Sequence, residues 1–117
     1  MRVAYITKNG IKITDIENEL PVLQKMVDGY IEAISLSEDV VALVDEEAKL
    51  KGKSPTYSIP FQGCSLPILG DFIICGVEQE EFRGLTDPEI ATVQRLVRPC
   101  SFSPGKTGKQ RKCFTNI

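Results

Sequence analysis

Histidine and tryptophan are both missing from this chain of 117 residues. Without an imidazole, no Ser-His or Cys-His nucleophile can be assembled and no mixed Cys/His zinc site can be completed. The four cysteines, Cys64, Cys75, Cys100 and Cys113, contain no Cys-x-x-Cys pair, and no Gly-x-Ser-x-Gly elbow occurs. The expectation is a protein without catalytic residues, metal or other cofactor. Long apolar runs are also missing: none approaches the roughly 18 to 20 residues that cross a bilayer, and Met1 to Gly10 alternates rather than forming a signal-peptide core. A cytoplasmic protein with reduced thiols and no membrane partner is expected. Cys75, inside the apolar run Phe72 to Cys75, reads as a small buried hydrophobe.

Acidic residues stop at Glu89, and this absence divides the chain. All 16 lie between Asp15 and Glu89, whereas Arg98, Lys106, Lys109, Arg111 and Lys112 place five cations in the last 20 residues. Residues 1–97 carry a formal charge of −7, beneath an overall −2. The reading is one α+β domain over residues 1–97 and a basic tail, 98–117, with Pro99, Pro104 and no periodic apolar face, expected to be disordered by itself. Its five cations are the candidate nucleic-acid contacts. Gly105-Lys106-Thr107 has the ending of a P-loop, but Cys100 stands where the first glycine belongs and no helix follows. DNA mimicry by the acidic part is disfavoured by Lys49, Lys51 and Lys53, which interrupt it.

Hydrophobic periodicity supplies the elements. Arg2 to Lys8 and the stretch from Ile11 alternate on either side of Asn9-Gly10, which predicts a β-hairpin with Asn-Gly in the two positive-φ positions of a type I′ turn. A helix is expected from about Glu19 to Asp28, capped by Asn18, with Pro21 in its first turn, Leu20, Leu23 and Val27 on one face, and left-handed Gly29 as its stop. Tyr30 to Leu36 and Val40 to Val44 read as a second hairpin, the latter strand central in a sheet. Asp45 to Gly70, rich in charge, proline and glycine, reads as a long irregular connection, with Asp45-Glu46-Glu47 a solvated acidic loop. Asp71 to Val77 returns to strand character. Leu85-Thr86-Asp87-Pro88-Glu89-Ile90 then carries a complete helix start, with Thr86 as N-cap, Glu89 at N3, a Leu85/Ile90 staple, and Val93, Leu96 and Val97 continuing the apolar face. The fold class is α+β: a small, mainly antiparallel sheet of about five strands with two helices.

The order of certain residues resembles a phage and mobile-element family known as domain of unknown function 3846. The resemblance runs from about Ile11 to Val97 and is carried by Ile16-Glu17-Asn18, Leu23-Gln24, Gly29-Tyr30-Ile31-Glu32, Asp45-Glu46-Glu47 with Lys49-Leu50 and Gly52, Gly70-Asp71-Phe72, Glu81-Phe82 and Leu85-Thr86-Asp87. Ala48 replaces a glycine of the usual pattern, and the tail lies outside it. What the resemblance implies is context: an accessory protein of a phage, prophage or plasmid in a bacterial cell, of a class that binds and inhibits host factors, defence components included, or sequesters signalling molecules. It supplies no catalytic residues. A non-enzymatic protein that engages a host protein through the 45–70 segment and the adjoining sheet edge is the leading expectation. Nucleic-acid binding by the tail is the first rival. The second is an oligomeric sponge for a nucleotide-like ligand, with Tyr57 and Phe61 forming the pocket and Lys49, Lys51 and Lys53 contacting phosphate.

Overall fold

The computed structural model describes residues 1–100. Their central layer is the expected antiparallel sheet, whose five strands run in the order β2 (Gly10–Asp15), β1 (Arg2–Thr7), β7 (Phe72–Glu78), β4 (Val40–Asp45), β3 (Ile31–Ser35). A short strand, β8 (Glu81–Arg83), folds back on β7. β7 and β4 are apolar without alternation because both of their faces are covered. On one face, Val3, Val41, Leu43, Ile73 and Cys75 pack under Leu23 and Val27 of helix α1 (Leu20–Val27). On the other, Ala4, Ile6, Ala42, Phe72 and Ile74 meet a second sheet and helix α2 (Asp87–Leu96). Cys75 is fully buried among the α1-side residues, as its apolar neighbours implied.

That second sheet corrects the reading of 45–70 as irregular. β5 (Pro55–Phe61) and β6 (Cys64–Leu69) form a hairpin, and β9 (Arg98–Pro99) pairs with Tyr57 and Ser58 of β5. Its prolines are tolerated by position: β6 with Pro67 is an edge strand, and Pro55 and Pro60 of β5 lie outside the pairing with β9. Ile59 and Ile68 bring the hairpin into the core. Cys100 adds a backbone hydrogen bond to Thr56, so pairing extends past Val97.

Local geometry departs from expectation at three further points. The first hairpin exists, but Thr7 pairs with Gly10 across Lys8-Asn9, and neither turn residue has a positive φ. The paired positive-φ turns are instead Gln62-Gly63 and Gln79-Glu80. Asn18 does not cap α1; it lies one residue too early and donates to the Phe82 carbonyl at 2.8 Å, while Glu19 holds the cap position without a side-chain bond. The left-handed stop of α1 is Asp28 (φ 58°, ψ 50°), not Gly29. The α2 start matches its motif: Thr86 and Glu89 form a reciprocal capping box, and Leu85 and Ile90 pack into the same core.

Candidate functional site

β4 carries its buried character one residue beyond the apolar run, onto Asp45. This carboxylate is fully enclosed, which corrects the solvated-loop reading for Asp45, although Glu46 remains exposed. Burial of an ion demands compensation, and three groups supply it. Lys53 Nζ donates to Asp45 Oδ2 at 2.7 Å, Lys51 Nζ to the same oxygen at 3.0 Å, and the Glu47 N–H to Oδ1 at 3.0 Å. Enclosure acts to raise the Asp45 carboxyl; the hydrogen bonds from Lys53, Glu47 and Lys51 outweigh it and bring it down to about 2. The bond to Asp45 raises Lys51 in turn.

Both lysines also close the end of α1. Lys53 Nζ donates to the Val27 and Asp28 carbonyls at 2.9 and 3.1 Å, and Lys51 Nζ to the Asp28 carbonyl at 2.8 Å. These are the acceptors a helix C-terminus leaves unpaired, at the negative end of its dipole. Gly29 completes the cluster through its missing side chain: a Cβ there would overlap the Asp45 carboxylate and lie 2.7 Å from Lys51 Nζ. The glycine is needed for close approach rather than for a positive φ.

The chain between these anchors is consequently held at both ends. Ala48 bonds back to the Asp45 carbonyl, Lys51 to Glu47, and Lys53 to Ala48. Ala48 is buried, and the turn displays Lys49 and Leu50, the latter 85% exposed. Beside it, a depression of about 300 Å³ is lined by Gln24, Lys25, Tyr30, Glu47 and Lys51.

The other expected site residues are distributed differently. Tyr57 packs against the core, and Phe61 sits half-buried at the tip of the β5–β6 hairpin opposite Cys64. Of the three lysines expected at the site, Lys51 and Lys53 converge on Asp45, whereas Lys49 faces solvent. Arg98 is exposed on β9. Lys106, Lys109, Arg111 and Lys112, with the expected disorder of the tail, fall outside the described residues. Gly29 and Asp45 went unrecognised as partners; the available signal was an acid closing an apolar strand, followed by lysines at alternate positions 49, 51 and 53.

A second charged cluster is structural. Arg83 forms a two-pronged pair with Glu89 at 2.8 and 3.0 Å, and Glu89 also accepts from the Thr86 N–H at 2.9 Å. Arg83 thus holds Glu89 down at about 2 while the pair secures the start of α2. Burial pushes the Cys75 thiol up to about 12, so it stays protonated and unreactive. No helix among the described residues is long and apolar enough to cross a membrane.

Fold and site together define a small three-layer α+β domain in which Leu50, the most exposed large apolar side chain among the described residues, stands on an ion-braced turn. The chain belongs to the family described as domain of unknown function 3846, whose model matches residues 1–98. No curated protein and no solved structure matches it. The motif residues that carried the resemblance meet as structural pairs here: Asn18 with Phe82, and Gly29 with Asp45.

Proposed function

We propose that this protein is a non-enzymatic accessory protein of a phage or other mobile element, working in the cytoplasm of a bacterial host by binding and inhibiting a host protein such as a defence component. The observation that carries this reading is the braced turn. Leu50 is displayed at 85% exposure on a segment closed by the Asp45–Lys51 and Asp45–Lys53 pairs, so little conformational freedom is lost when a partner buries it. Lys49 beside it adds a charged rim contact. The mobile-element context is what the resemblance of the sequence implies, and it is part of this proposal. Affinity purification of the tagged full-length chain from host cells, with mass spectrometry of the eluate, tests it against Leu50→Asp. A defined protein that co-elutes with the parent, rebinds it as a purified pair, and is lost with Leu50→Asp at unchanged melting temperature is the expected outcome. Retention of the same partners by the variant would remove the turn from the interface.

A second reading, nucleic-acid binding, is favoured by the segregation of five cations without an acid into the last 20 residues. Neutralisation of five phosphates gives a log–log salt slope no steeper than about −4 to −5 on duplex DNA. Absence of any salt-dependent binding to DNA or RNA at low ionic strength rejects this reading.

A further inference from the structure

We infer that Asn9 is a self-modification site: with Gly10 it closes to a succinimide and reopens as aspartate or isoaspartate, so the tip of the first hairpin gains a negative charge with time and without an enzyme. Asn9 is exposed in the Lys8-Asn9 turn, and its side-chain amide makes no hydrogen bond among the described residues. Its backbone N–H donates to Thr7 Oγ1 at 3.1 Å. Gly10 has φ 127°, which side chains rarely adopt, so the residue after Asn9 is held to one that cannot shield the reacting atoms. A Cβ there would meet nothing nearer than Tyr57 Oη at 3.8 Å. Both residues line an open depression of about 340 Å³ in which Lys12 is the charged member and no carboxylate takes part.

Comparable pairs elsewhere in the described residues each lack a requirement. Asn18 donates its side-chain amide to the Phe82 carbonyl at 2.8 Å and is followed by Glu19, whose side chain crowds the nitrogen that would attack. Asp28-Gly29 offers a carboxylate in place of an amide, and its Gly29 N–H is bonded to the Gln24 carbonyl at 3.1 Å. Gln62-Gly63 would have to close a six-membered ring, which forms more slowly than a five-membered one.

The reaction balances with water alone. Hydroxide takes the Gly10 amide proton and the nitrogen attacks Asn9 Cγ; the new C–N bond closes the ring as the Cγ–Nδ2 bond breaks, and ammonia leaves with a proton from water. Water then opens the ring at either carbonyl. Attack at Cγ gives aspartate, whereas attack at the main-chain carbonyl gives isoaspartate, with the backbone running through Cβ. Thr7 and Gly10 close the turn, so the nitrogen is released when this last pair of an edge hairpin opens, a local motion at the least protected point of the ladder. The positive charges of Lys8 and Lys12 favour the anionic nitrogen. β2 stays anchored because Ile11 and Ile13 pack on the core, so the change is confined to the tip, and the formal charge falls one unit below −2. The inference rests on neither reading of function above, and it is tested on purified protein alone.

Incubation of the folded full-length protein in mildly alkaline buffer, followed by peptide mapping with mass spectrometry and an isoaspartate assay, is the experiment. The peptide that contains residue 9 should gain about 1 Da, as NH2 is replaced by OH, and should contain isoaspartate. An acidic form that elutes with Asn9→Asp in ion exchange should grow in parallel. Its rate should rise about tenfold per pH unit, because the nucleophile is the anion of an amide that is neutral at these pH values. Asn9→Gln should keep the melting temperature and slow conversion by an order of magnitude or more. No conversion at residue 9 over a period in which the chain unfolded in urea converts completely overturns the inference, since the folded turn then protects the pair. Aspartate without isoaspartate overturns it as well, because direct hydrolysis of the side-chain amide passes through no ring.

Discussion

At the scale of single residues, the junction of α1 and β3 depends on two neighbours with opposite requirements. Asp28 has a side chain in a left-handed conformation, where glycine is more comfortable, and Gly29 has an ordinary φ in a space that admits no side chain. Gly29→Ala should therefore lower stability by about 2 kcal/mol, through displacement of the buried Asp45 carboxylate. Asp28→Gly should leave it unchanged or raise it by up to about 1 kcal/mol, since only a 3.6 Å ion pair with Lys53 is lost. Urea midpoints of the two variants check this, and equal losses would contradict it. The pH dependence follows from Asp45 and Glu89, whose folded-state carboxyls lie near 2 against ordinary values of 3.8 and 4.5. A depressed carboxyl stabilises the fold above its ordinary value and loses that contribution as pH falls through the folded one. The melting temperature should thus hold down to about pH 4.5 and fall between there and pH 2. Asp45→Asn should cost on the order of 2 kcal/mol at neutral pH and flatten that acid slope. A slope unaffected by the substitution would show that Asp45 is not the titrating group.

At the scale of elements, the best-defined boundary is the start of α2. Its cap, its reciprocal acid and its staple all lie within the six-residue run from Leu85 to Ile90, so no distant chain is needed to specify them. Arg83, from the end of β8, adds the bidentate grip on Glu89. Thr86→Ala should cost about 1 kcal/mol, read from the shift of the denaturant midpoint. The β5–β6 hairpin is the opposite case. Three prolines in a 15-residue stretch argue against strands by local rule, and the segment becomes a hairpin because its two-residue turn accepts positive φ at Gln62 and Gly63 and because Ile59 and Ile68 find a core to enter. Asn9-Gly10 shows the converse: a pair suited to a type I′ turn is set aside when strand register places the turn at Lys8-Asn9.

At the scale of the whole molecule, the layers close through β9, which follows α2 directly and pairs with the second sheet. A chain ending at Cys100 should melt near the full-length temperature, whereas one ending at Val97 should lose about 1–2 kcal/mol with the Arg98–Cys100 pairing to β5. Calorimetry of the three chain lengths separates these outcomes. What the amino-acid order determined unaided is whatever rests on local periodicity or short-range bonding: the α+β class, the apolar central strands, the second hairpin and the capped helix. Only the tertiary structure decided which acid of Asp45-Glu46-Glu47 is buried, which lysines turn inward to meet it, and why residue 29 is glycine. The physical reason is that a buried charge is stable only where separate segments bring donors to the same point, here the end of α1, the end of β4 and the turn that follows it, and alternation along one strand carries no record of what lies across the sheet.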